Sequence, residues 1–103
     1  MITCVIRYQI DPEKTNQFEH YAELWIPLVE KFGGTHHGYY LPHEGANDRA
    51  LALFSFPSLA DYETYRAQSL DDPQCQQAYA FASESQCIQR YGREFLRPVL
   101  GHR

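Results

Sequence analysis

The chain has 103 residues, 44% of them hydrophobic and 15% aromatic, enough apolar material for one core over residues 1–103 and too much for an intrinsically disordered chain. The formal net charge is −4, and the nine Lys and Arg residues are scattered, so no basic stripe exists to neutralise phosphates and nucleic acid is excluded as a partner. No apolar stretch approaches the length of a membrane span, and no basic region precedes an apolar run at Met1–Tyr8, so neither a membrane partner nor secretion is expected. Cys4, Cys75 and Cys87 are odd in number and widely spaced, which fits reduced thiols and a cytoplasmic location; without a CxxC pair, no thiolate zinc site is expected.

Residues 2–10 are β-branched and partly alternating, with Ile2, Cys4, Ile6, Tyr8 and Ile10 on one face, the pattern of a strand. Asp11-Pro12-Glu13 gives a helix start: an N-cap, a proline suited to the first helical position and an acid at the positive end of the dipole. Phe18, Tyr21, Ala22, Trp25, Leu28, Val29 and Phe32 then form one apolar helical stripe. Pro27 inside it predicts a kink, and Gly33-Gly34 ends the helix. Residues 35–42 read as a second strand, 43–48 as a polar loop and 49–56 as a third strand, which together make a hairpin. Ser58-Leu59-Ala60-Asp61 resembles a capping box and starts a helix, which Asp71-Asp72-Pro73 interrupts before a further helical segment to about residue 84. Residues 86–97 complete the set as a last strand.

The order βαββαβ is that of a ferredoxin-like α+β fold, with the helices on one face of a four-stranded antiparallel sheet. Strand three is apolar on both sides, Leu51 and Leu53 on one and Ala50, Ala52, Phe54 and Phe56 on the other. A half-solvated sheet would alternate apolar with polar residues. The helix-free face is therefore expected to be covered by a second copy, making a homodimer.

The stretch Trp25–Pro42, together with His43-Glu44-Gly45-Ala46-Asn47-Asp48 and Leu53-Phe54-Ser55-Phe56-Pro57-Ser58, resembles bacterial members of the NIPSNAP family. The opening strand and the Arg93–Pro98 segment also fit, so the resemblance covers nearly the whole chain. It implies a dimeric α+β barrel, in which two ferredoxin-like subunits enclose a barrel between their sheets. It brings no reaction, cofactor or catalytic residue with it.

The cluster His36, His37, Tyr39, Tyr40 and His43 is the richest in chemistry. Adjacent strand residues point to opposite faces, so His36 and His37 cannot chelate one ion. His37 and His43 would lie about 20 Å apart along a straight strand, far beyond a shared ion, so no metal is expected. Imidazole and phenol on one face are suited instead to orienting a small phenolic or carbonyl ligand. If the strands pair about residues 45–46, His37, Tyr39 and Leu41 share a face with Ala50, Ala52 and Phe54. His36 and Tyr40 then share the other with Leu51 and Leu53. The competing reading is that these side chains are only packed and hydrogen-bonded.

Trp25 lies on the helix stripe and reads first as a core residue; cofactor-independent monooxygenases and haem-degrading enzymes of the resembled superfamily use the space between sheet and helices, and that resemblance makes Trp25 a candidate for lining a pocket there. Arg7 and Arg90 are further candidates for anchoring an acidic ligand, against the ordinary reading of ion-paired or solvated surface groups, and His43 is a further ligand-binding candidate. Tyr62, Tyr65 and Tyr79 read as packing residues. No nucleotide loop, GxSxG elbow or paired-carboxylate motif occurs. Three functions remain open: a binder of a small apolar or aromatic molecule, a monooxygenase- or isomerase-like enzyme, and a non-catalytic dimeric scaffold.

Overall fold

Alternation in β1 (Ile2–Ile10) places Cys4, Ile6, Tyr8 and Ile10 on one face, and all four are buried. The strand is central because it pairs antiparallel with β3 (Arg49–Phe56) on one side and β4 (Ile88–Leu96) on the other. The outer strand β2 (Thr35–Tyr40) pairs antiparallel with β3, giving the order β2-β3-β1-β4. Helices α1 (Thr15–Lys31), α2 (Leu59–Ser69) and α3 (Pro73–Ser85) cover one face of this sheet, as the shared core of β1, β3 and helix residues shows. The computed structural model describes residues 1–101. The architecture is the expected ferredoxin-like α+β fold, and none of the described helices is long and apolar enough to cross a membrane.

Local chemistry sets the helix ends. Asp11 accepts from the Glu13 N–H, but the residues it caps, Pro12–Lys14, form a 3₁₀ turn, and the α-helix begins at Thr15. Ser58 Oγ accepts from the Asp61 N–H at 3.1 Å and donates to Asp61 Oδ2 at 2.8 Å; the Ser58 cap is made, but the carboxylate bonds the hydroxyl and not the Ser58 backbone N–H that a full capping box would use. Asp72 Oδ2 takes the Cys75 N–H at 3.0 Å while Oδ1 takes Lys31 Nζ at 2.6 Å, so one carboxylate starts α3 and ties it to the end of α1. The helix α1 runs unbroken through Pro27, which lies on its exposed side where the Glu23 carbonyl can meet water. Gly33, at φ +93°, turns the chain out of α1. Gly34 then lies against the core: a Cβ there would come within 2.7 Å of Phe56 Cζ and Val29 Cγ1.

The core is aromatic. Phe54, Phe56, Tyr62 and Tyr65 are all buried, and Phe56 stacks on Tyr65 with centroids 5.0 Å apart. Such pairs add about 0.5–1.5 kcal/mol beyond the apolar area they bury.

One feature of β2 departs from the expected pattern. Tyr39 opposes Ala52 and Tyr40 opposes Leu51, as pairing about residues 45–46 requires, but the register shifts between His36 and Gly38. His37 is the extra residue of a bulge, and Gly38 accommodates it at φ +115°. The two histidines therefore exchange faces relative to the straight-strand expectation. His36 opposes Phe54 and turns to the helix side, while His37 turns to the open side and meets Ser55 Oγ at 2.7 Å. The strand also ends at Tyr40, short of Leu41 and Pro42, and β4 starts at Ile88, two residues later than expected, because Gln86 takes a left-handed φ of 57° at the end of α3.

The open face of the sheet is mixed. Val5, Leu51 and Leu53 form an apolar band with Tyr40 and Leu96, which are 52% and 50% exposed. Polar rows border it: Arg7 pairs with Glu94 at 3.3 Å, and Arg90 Nε donates to Gln9 Oε1 at 3.1 Å.

Candidate functional site

The pocket lies between the helix-side face of the sheet and the three helices. Alternation on β1, β2 and β4 brings Tyr8, Tyr39, Tyr91 and Arg93 to that face. Helix α1 contributes Tyr21 and Trp25, one turn apart; α2 contributes Arg66, and α3 Tyr79. These walls enclose a narrow space of about 40 Å³ at Trp25 and Tyr39, adjoining a wider one of about 290 Å³ bounded by Tyr79, Ala82, Ile88 and Tyr91. Tyr8, Tyr21, Tyr79, Arg66 and Arg93 line both.

The walls are flat and close-set. Trp25 meets Tyr79 edge-on at 5.0 Å, and Tyr8 stacks on Tyr39 at 6.1 Å. Their polar atoms are only partly satisfied. Trp25 is 5% exposed, and its indole N–H has no partner. The nearby Tyr21 hydroxyl senses that N–H without meeting hydrogen-bond geometry: burial raises the Tyr21 pKa to about 12, and the indole pulls it partly back. Arg93 Nη1 donates to the Tyr62 hydroxyl and the guanidinium sits 5.7 Å over the Tyr91 ring, yet its buried Nε is unpartnered.

Electrostatics make this a pocket of neutral phenols and cations. Burial pushes the Tyr8 and Tyr39 pKa values well above the ordinary phenol range, so both hydroxyls remain protonated near neutrality. Burial alone would lower the Arg93 pKa, but Tyr62, together with Cys4 and Tyr8, more than offsets it and the group stays cationic. Among the described residues, no imidazole or carboxylate lines either part of the pocket. The site can donate hydrogen bonds and stabilise negative charge; it holds no base with a pKa near neutrality.

The sequence candidates are divided by the fold. Trp25 and Tyr39 line the pocket. His36 lies on the same face but behind Tyr39, stacked on it at 5.0 Å. His37 and Tyr40 lie on the open face, where the Tyr40 hydroxyl donates to the His37 carbonyl at 3.2 Å. Arg7 is also on the open face, paired with Glu94, and His43 is exposed in the loop between β2 and β3. The cluster that looked continuous along β2 is thus split between two surfaces. Arg93, Arg66, Tyr8 and Tyr21 form the site without having been candidates. A larger hollow of about 800 Å³, between Tyr40, Arg49, Arg90 and Tyr91, is an open surface depression whose Arg7 and Arg90 already have partners. Among the described residues, no group of His, Cys, Asp and Glu is arranged to hold a metal ion.

An antiparallel β2-β3-β1-β4 sheet with helices on one face defines a ferredoxin-like α+β domain. The NIPSNAP family profile matches residues 4–100, and the chain belongs to the NIPSNAP family. Solved structures agree on the fold. A NIPSNAP family protein of unknown function from Agrobacterium tumefaciens superposes with a TM-score of 0.81 at 18% identity, covering 95% of this chain and 87% of that one. A NIPSNAP domain protein from Burkholderia xenovorans gives 0.76 at 17% identity, covering 96% and 95%. A putative antibiotic biosynthesis monooxygenase from Nitrosomonas europaea gives 0.74 at 7% identity, covering 97% and 100%. A comparison with curated protein sequences finds no match.

Proposed function

We propose that this protein binds a small aromatic or apolar molecule in the pocket between sheet and helices, and that it does so as a homodimer. The observation that carries the reading is the buried, unpartnered indole N–H of Trp25 in an aromatic wall. A buried donor without an acceptor costs about 1–3 kcal/mol, and a ligand acceptor in the adjoining space would recover it. The want of a neutral-range base among the lining residues favours binding over proton-transfer chemistry.

The open face of the sheet supports the dimer. Val5, Leu51, Leu53, Tyr40 and Leu96 make a band that an identical face, related by a two-fold axis, would cover with the same apolar groups. Sedimentation velocity tests it: the wild type should run as a dimer and Leu53→Glu as a monomer, and a monomeric wild type would refute it.

Blocking the pocket tests the binding. A ligand at a hundred times its Kd stabilises the fold by about 2.7 kcal/mol. Small phenols and aromatic acids should raise the Tm of the wild type and not of Ala82→Phe, whose ring would fill the wider part of the pocket. Equal shifts in both proteins would place binding elsewhere.

A further inference from the structure

Resting on that pocket, we infer that its ligand is an anion: a planar carboxylic acid, its carboxylate held by Arg93 and Arg66 towards the narrow end at Trp25 and its ring system lying in the wider space against Tyr8, Tyr79 and Tyr91.

Charge is the first argument. The chain as a whole carries a formal −4, with 13 acidic residues to nine basic ones. The two adjoining cavities reverse that balance: two arginines line them and, among the described residues, no carboxylate does. The ion pairs among the described residues use Arg7 and Lys31, and neither Arg66 nor Arg93 has an anionic partner.

The position of Arg93 is the second. It opposes Ile6 on the sheet face that otherwise carries Cys4, Ile6 and Tyr8, where an apolar side chain would be expected. Burial disfavours the charge of the guanidinium, and what offsets it here is neutral hydroxyl and thiol groups rather than a carboxylate. The Tyr62 hydroxyl and the Tyr91 ring orient the group, but neither neutralises it, and its Nε is left unpaired. A guanidinium held by its neighbours with a free N–H is a preformed half of a bidentate carboxylate contact.

Donor type and shape complete the case. The indole N–H of Trp25 cannot accept, Arg93 Nε cannot accept, and both are buried and vacant. The unmet hydrogen-bonding capacity of the pocket therefore calls for an acceptor. The wider space, about 290 Å³, lies at the small end of ligand pockets, and its Tyr79 and Tyr91 walls are flat.

The test compares 4-hydroxybenzoate with 4-hydroxybenzamide, which share a shape and differ in charge. Trp25 is the single tryptophan, so its indole N–H gives one resonance in a ¹⁵N correlation spectrum and reports on the pocket alone. The acid should shift that resonance with at least tenfold tighter binding than the amide. The preference should fall towards one in Arg93→Gln and return in Arg93→Lys; Arg66→Gln, on a half-exposed helix position, makes the same measurement should Arg93→Gln not fold. Equal binding of acid and amide at the indole would overturn the anion inference and leave the pocket reading standing. No indole shift with either compound at millimolar concentration would overturn both.

Discussion

His36 should make the fold sensitive to mild acid. Its ring is sandwiched between Tyr39, at 5.0 Å and 14°, and Phe54, at 5.6 Å and 29°. Nδ1 accepts the Gly38 N–H at 2.9 Å, so the neutral ring carries its proton on Nε2, which is buried without a partner. Burial, with a smaller contribution from the adjacent His37, lowers the pKa from the ordinary 6.5 to about 4. Protonating Nδ1 would also set a donor against the Gly38 N–H. Between those two pH values the unfolded chain holds a proton that the folded chain rejects. Stability from this group is therefore full above about pH 6.5 and is lost as the pH falls towards 4. A shift from 6.5 to about 4 corresponds to about 3 kcal/mol in all, of which about 2 kcal/mol is gone by pH 5. Urea unfolding followed by Trp25 fluorescence at about pH 7 and about pH 5 measures it. The comparison protein is His36→Asn, whose side-chain oxygen can still accept from Gly38 but cannot titrate. The wild type should lose about 2 kcal/mol more than the variant over that interval. Equal losses, or an imidazole titration of His36 centred near 6.5, would refute the reasoning.

Three further outcomes are expected. Gly38→Ala meets no clash but must hold φ +115°, and should cost about 1–3 kcal/mol in urea unfolding, with loss of the His37–Ser55 contact by NMR. Gly34→Ala puts a methyl 2.7 Å from Phe56 and Val29 and should lower stability by about 1–3 kcal/mol through overpacking, measured in the same way. Cys4, Cys75 and Cys87 are fully buried, and burial pushes the Cys4 and Cys75 thiols up to about 11. All three thiols should react with an aromatic disulfide slowly in the native protein and rapidly in denaturant; a fast native phase would contradict their burial.

The parts of this molecule set by local chemistry were readable from residues. Ser58 with Asp61, and Asp72 before Pro73, mark helix starts because a side-chain oxygen within three residues of a free N–H is a local arrangement. The alternation of β1 and β3 assigned their faces correctly for the same reason. What failed was the placement of His36 and His37, because a bulge is decided by pairing with β3; the one sign of it was a glycine, Gly38, inside a strand. Arg93 and Arg66 escaped because an arginine is ordinarily a surface residue. The signal for Arg93 was its phase in β4: it alternates with Tyr91 and Phe95, so a cation occupies the apolar side of the strand. Tyr8, Tyr21 and Tyr79 come from three separate elements, and only their packing shows that they face one space.

Both edges of the sheet carry a bulge. Along one runs the six-residue β2, broken at His37. Along the other runs β4, whose register against β1 shifts between Gln9 and Ile10 and leaves Gln89 over. Backbone pairing between molecules needs an uninterrupted ladder of donors and acceptors, and neither edge offers one over its full length. Growth by edge-to-edge pairing, the route by which a chain this rich in strands and aromatic rings would build fibres, is therefore disfavoured at both ends of the sheet.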